Sequence, residues 1–156
     1  MKSPCFIYQR SKMPEWLDIP TYPTCFVCGE ENHIGLKMKF RSKGKIIEAD
    51  YNPLPEHCGY TGIVHGGIVS AILDEGMGWT AFLSFNKYYL TMELKVRFKK
   101  PVESGKKYLL RCELLRKVGS VFMTKGEIID SDGIVMAKGE AKYYLVDKEF
   151  FFKSGQ

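Results

Sequence analysis

The segment from Gly62 to Phe85 constrains this chain more than any other. Its apolar residues fall at 68, 69, 71, 72, 73, 77, 79, 81, 82 and 83, almost all round a helical wheel. A helix apolar on every side is buried rather than laid on a surface. Gly66 and Gly67 open it, and Asn86-Lys87 ends it. Gly76 and Gly78 lie inside it, each costing about 1 kcal/mol relative to Ala, which points to close backbone packing. Four strands follow with short turns, Tyr89 to Lys99, Lys107 to Lys117, Val121 to Asp130 and Ile134 to Val146. In the first, Met92, Leu94, Val96 and Phe98 alternate with Thr91, Glu93, Lys95, Arg97 and Lys99, the period of a half-wet strand.

Two more strands precede the helix. Leu36, Met38 and Phe40 alternate with Lys37, Lys39 and Arg41, Ser42-Lys43-Gly44 turns the chain, and Lys45 to Tyr51 returns. The predicted order is β-β-α-β-β-β-β, an α+β domain with one buried helix on a five- or six-stranded antiparallel sheet. A length of 156 residues, 45% hydrophobic, is enough for one such core without disulfide or metal. The domain is expected over residues 25–147. Residues 1–24 form an irregular, proline-rich arm with a helical turn at Pro14 to Asp18, and residues 148–156 a tail with the aromatic run Phe150-Phe151-Phe152.

Several classes of function are disfavoured. No run approaches the ~20 apolar residues of a membrane span, and the N-terminus lacks a secretory h-region. Net charge is +5, from 23 basic and 18 acidic residues, too spread out for nucleic-acid binding. Five cysteines without regular spacing read as free thiols of a cytoplasmic protein. Cys25-Phe26-Val27-Cys28 with His33 reads as half a zinc site. A second pair is missing, Cys58 and His57 join only through tertiary contact, and no metal is expected. A redox CxxC is disfavoured because no βαβ unit surrounds it.

The residues with chemistry are His65, Gly66, Gly67 and Asp74. A helix start carries unpaired N–H groups and a positive dipole, and two glycines there let an oxygen reach the backbone. Asp74 lies seven residues after Gly67, two turns on, along the same face, whereas Glu75 is rotated by about 100°. A carboxylate in an apolar helix is costly unless paired, hydrated or functional. On that face it can attack, or activate water against, a carbonyl held by the N–H donors. Asp74 and Glu75 can instead face a partner subunit, and His65 can serve as a cap.

Three segments carry a resemblance: GIVHGGIVSAILDEGMGWTAF at 62–82, LTMELKVRFKKPV at 90–102 and CFVCGEENHIGLKMKF at 25–40. The sequence resembles the hot-dog-fold thioesterases, in their phenylacetyl-CoA-thioesterase-like branch. That resemblance implies a helix wrapped by a curved sheet and self-association as a homodimer or a dimer of dimers. It also implies active sites at the dimer interface, hydrolysis of acyl-CoA thioesters, and no cofactor beyond the coenzyme A of the substrate. Asp74 matches the family carboxylate, nucleophile or general base. Gly66 matches by family position, and Gly67 by helical geometry, the N–H that polarises the carbonyl. His65 matches the motif histidine. Thr91 resembles a hydroxyl residue that orients water or the carboxylate from the partner chain. One position departs: relatives carry Asn or Gln where Gly59 stands, or Gln where Cys58 stands, and His57 is the nearby substitute for positioning water. Arg97 and Lys99, with Lys95, Lys100, Arg116 and Lys117, are candidates for the coenzyme A phosphates. Trp79, Tyr88 and Tyr89 receive no role. A non-catalytic module binding acyl-CoA or a small aromatic ligand is the other reading.

Overall fold

A computed structural model describes residues 15–150; residues 1–14 of the arm and 151–156 of the tail, with the expectations attached to them, lie outside the described residues. The elements are β1 (Leu17–Asp18), β2 (Phe40–Lys43), β3 (Ile46–Tyr51), β4 (Cys58–Tyr60), β5 (Ile63–Val64), α1 (Gly66–Phe85), β6 (Tyr88–Phe98), β7 (Tyr108–Val118), β8 (Val121–Asp130) and β9 (Val135–Val146). A single 3-10 turn, Pro55–His57, leads into β4. Seven strands form one antiparallel sheet in the order β1-β2-β3-β7-β8-β9-β6. β4 and β5 pair separately. No helix is long and apolar enough to cross a membrane among the described residues.

The expected helix and the five later strands are present. The strand expected from Leu36 starts only at Phe40 and runs through Ser42 and Lys43, expected as a turn. Leu36 and Met38 instead donate their N–H groups to the Phe26 and Val27 carbonyls. β1 is an addition: Leu17 pairs with Ser42 and Asp18 with Arg41. At Leu17 and Asp18 it stands where the end of the helical turn is expected. A five-residue helix cannot offset its nucleation cost, whereas Ile19 reaches a buried position and donates its N–H to the Phe40 carbonyl at 2.9 Å.

Helix α1 packs across β3, β7, β8, β9 and β6. Ile72, Leu73 and Met77 are fully buried. The interior glycines explain themselves by what a Cβ would meet. At Gly76 it would lie 2.5 Å from Leu110 Cδ2, and at Gly78 only 2.1 Å from the Tyr89 ring. Beneath them Gly126 and Gly139 face one another across β8 and β9 and admit Met77 and Leu73. Glycine on both layers therefore sets the helix–sheet distance.

Three strands carry one residue more than their partners. Met92 is extra in β6, Leu115 in β7 and Met136 in β9. Such bulges bend a strand and increase its twist, which curves the sheet round the helix. The bulge at Met92 corrects the alternation expected for β6. Met92 is solvent-exposed, at 57%. Tyr89 before the bulge and Leu94 and Val96 after it pack on the core, so Thr91 turns to the helix side.

Candidate active site

The helix start is built by His65. It is the N-cap, with extended backbone at φ −61° and ψ 133°, and its Nδ1 accepts the N–H of Gly67 at 2.9 Å. That bond requires a lone pair on Nδ1, so the ring proton of a neutral His65 sits on Nε2. The His65 carbonyl takes the N–H groups of Ile68, at 2.9 Å, and Val69, at 3.2 Å. Gly66 is the first helical residue, and its N–H has no partner among the described residues. Of the two glycines, Gly66 therefore retains the open donor at the positive end of the dipole. It lines a groove of about 510 Å³ with Gly59, Val64, Phe98, Lys99 and Lys100.

Asp74 sits half-buried on the β6–β9 side of α1. The Tyr143 hydroxyl lies 2.9 Å from its Oδ1 and 2.8 Å from its main-chain carbonyl, donating one proton between them. Thr91 Oγ1 donates toward Oδ1 and Oδ2 at 3.1 and 3.2 Å. Thr91 and Tyr143 are direct partners across the β6–β9 ladder. Burial raises the Asp74 carboxyl above its ordinary range, and the Tyr143 and Thr91 hydrogen bonds oppose the shift. Burial, with the nearby Asp74 charge, holds the Tyr143 phenol far above its usual range, so it remains a neutral donor.

Thr91 thus holds Asp74 within one chain. Sharing a helix face does not join Gly66 to Asp74. Eight residues at 1.5 Å each separate them by about 12 Å along the axis, against the roughly 3–3.5 Å needed for reaction. One helix cannot present both groups to one carbonyl.

Glu75, about 100° round the helix from Asp74, points to a different wall. Its Oε1 accepts the Trp79 indole N–H at 3.0 Å and lies 3.4 Å from Cys25 Sγ and 3.1 Å from Cys28 Sγ. Burial, then the Cys25 charge, pushes the Glu75 carboxyl up to about 7. The Cys28 thiol is the main cause that draws Cys25 down to about 5, while Cys28 itself is pushed up. His33, Cys58 and His57 do not join this group. Trp79, Tyr88 and Tyr89 line a cavity of about 440 Å³ beside it.

The remaining candidates are dispersed. His57 Nδ1 is engaged by the Tyr51 hydroxyl at 3.1 Å and the Leu54 N–H at 3.2 Å, and its ring stacks on Tyr51. Burial lowers its pKa, and it lines a different cavity, beside Met38 and Tyr51. It therefore does not stand in for a water-positioning side chain at the groove. Cys58 pairs with Val64 in the β4–β5 ladder. Gly59 does line the groove, and a Cβ there would lie 3.1 Å from His65 Cδ2, so any larger residue would press on the cap. Lys99 and Lys100 edge the groove, while Lys95, Arg97 and Lys99 border a shallow polar depression. Arg116 and Lys117 lie elsewhere, against Met123 and the Phe85 ring. Sequence reasoning missed Tyr143. Nothing local separates it from a core tyrosine, and only the pairing of Thr91 with Tyr143 would have exposed it.

Residues 61–137 match a family model described as the thioesterase superfamily. A protein of Saccharolobus solfataricus, provisionally named an esterase, is 32% identical over 87 residues, covering 54% of this chain and 61% of its own length. Among solved structures, a thioesterase superfamily protein superposes with a TM-score of 0.74 at 23% identity, covering 78% of this chain and 60% of that one. A hypothetical thioesterase of Streptococcus pneumoniae TIGR4, crystallised with coenzyme A, gives 0.63 at 13% identity, covering 67% and 83%. The matches span 51% and 61% of the lengths of the curated relatives.

Proposed function

We propose that this chain, a member of the thioesterase superfamily with the hot-dog fold, hydrolyses an acyl-CoA thioester to the free acid and coenzyme A. The observation that carries the reading is Asp74. Its carboxyl is half-buried in an apolar helix and held in place by Tyr143 and Thr91, two donors that orient it and favour its charged form against the effect of burial. A carboxylate kept at that cost with no cation partner among the described residues is a candidate base or nucleophile. The coenzyme A in the S. pneumoniae structure supports the choice of leaving group, and Lys99 and Lys100 at the groove edge suit its phosphates.

The thioester carbonyl accepts the Gly66 N–H at the helix start of one copy. The helix dipole and this donor stabilise the oxyanion, a contribution of about 3–4 kcal/mol for such a group. Asp74 comes from a second copy, because the spacing along one helix is too long. It either takes a proton from water as the water oxygen attacks the carbonyl carbon, or attacks that carbon itself to give a mixed anhydride that water then opens. In both routes the C–S bond breaks and the coenzyme A thiolate leaves without a strong general acid.

Gly59 favours a second reading, a module that binds acyl-CoA without turning it over, because no side chain at that position can hold a water. Thiol release over short, long and aromatic acyl-CoA substrates separates the two. The enzyme reading expects release by wild type that falls at least about 100-fold in Asp74→Ala, some 2.7 kcal/mol of barrier. Thermal stabilisation by acyl-CoA with no release from any substrate leaves the binding module.

A further inference from the structure

We propose that Cys25, Cys28 and Glu75 form a zinc site with three protein ligands and a fourth position open to the cavity beside α1. Two segments fifty residues apart in the chain bring these groups together. Glu75 Oε1 lies 3.1 Å from Cys28 Sγ and 3.4 Å from Cys25 Sγ, and the three atoms all lie within 4.8 Å of one another. Zinc bonds of about 2.3 Å to sulfur and 2.0–2.2 Å to oxygen give tetrahedral edges of roughly 3.5–3.8 Å. The ligand atoms therefore already approximate one face of a coordination tetrahedron.

The surroundings are those that thiolate ligands need. Cys25 Sγ accepts the N–H groups of Val27 at 3.3 Å and Cys28 at 3.4 Å, and Cys28 Sγ accepts that of Tyr22 at 3.5 Å. These donors offset the surplus negative charge of two thiolates and a carboxylate on a divalent ion. The Trp79 indole fixes the carboxylate from behind, as outer partners orient metal ligands. Gly29 closes the turn: a Cβ there would lie 2.5 Å from the carbonyl oxygens of both Cys25 and Pro23. The two sulfurs are thus held by a tight loop on one side and a buried helix on the other.

Thiolates with a carboxylate select zinc over magnesium or calcium, which prefer all-oxygen sites. Cys25 and Glu75 line the cavity of about 440 Å³, with Trp79, Phe82 and Tyr89 as its apolar wall. Three protein ligands and an open fourth position are the arrangement of a reactive zinc rather than a purely structural one. None of the three ligands has a part in the Asp74 proposal, so the two are tested separately.

The test uses the full chain, reduced and stripped of metal, titrated with cobalt(II) and then zinc(II). One equivalent of cobalt is expected to give tetrahedral visible bands with thiolate charge transfer, and one equivalent of zinc to abolish them. Outer-shell changes alone cost 10–100-fold in metal affinity. Cys25→Ser and Glu75→Gln should therefore each weaken zinc by at least about 100-fold. Cadmium-113 resonance on the wild-type protein reads the number of sulfur ligands without any variant, and two are expected. A wild-type chain with no thiolate band, a cadmium signal without sulfur, or affinity unchanged in both folded variants overturns the proposal.

Discussion

Two donors act on Asp74 in the same direction, and burial acts in the other. Removing a donor therefore raises its carboxyl further, and if Asp74 must be charged to react, the acid limb of rate against pH moves up. Tyr143→Phe is expected to move that limb toward neutral pH, and Thr91→Ala to move it less, because Tyr143 opposes the burial effect more strongly. Thiol release measured across pH decides this; a merely structural Tyr143 would lower the rate and leave the limb in place. The raised carboxyl also has a sign for stability. It favours the fold in acid, below the ordinary carboxyl range near 3.8, and that contribution is lost as pH rises through the folded value. His65 and Asp74 stood out in the sequence because a helix cap and a two-turn spacing depend on nearby residues alone, though that spacing favoured Gly67, whose N–H the His65 ring takes. Tyr143 and the Cys25–Glu75 contact did not, since each joins residues 50 or more apart in sequence.

Periodicity made the helix and the long strands legible, and it failed where a single residue changed the register. No pattern in β6 marks Met92 as extra, yet that residue decides which face Thr91 takes. The paired glycines were legible as a sign of close packing, though not their partners. Gly78→Ala puts this to the test. Alanine favours a helix by about 1 kcal/mol over glycine, but its Cβ would fall 2.1 Å from the Tyr89 ring. Overpacking of this kind typically costs about 1–3 kcal/mol. Urea denaturation is expected to show net loss of stability at unchanged m. Adding Tyr89→Leu should restore part of it in a double-mutant cycle. A Gly78→Ala protein as stable as wild type would mean that the ring, not the glycine, sets the helix height.

The two edges of the sheet are unlike. β1 is two residues long, whereas β6 offers eleven, with Leu90, Met92 and Phe98 exposed along it. A long edge with apolar side chains invites another strand, and β6 also carries Thr91, which holds Asp74. The proposed mechanism requires that pairing of two copies there bring each Asp74 toward the helix start of the other copy, since the spacing of about 12 Å within one helix keeps its own two groups apart. Complementation tests this arrangement without any need to see the interface. Asp74→Ala removes the carboxylate. Gly66→Pro removes only the open N–H, since proline suits the first helical position and His65 already has the extended backbone that precedes it. Each variant alone should be nearly inactive. Mixed in equal amounts and allowed to exchange, half of the dimers carry one of each, and one of the two sites in such a dimer combines a native Gly66 with a native Asp74. Random pairing in a two-fold dimer then restores about a quarter of wild-type thiol release. If Gly66 and Asp74 of the same chain served one site, every site in the mixture would lack one group, and no activity would return.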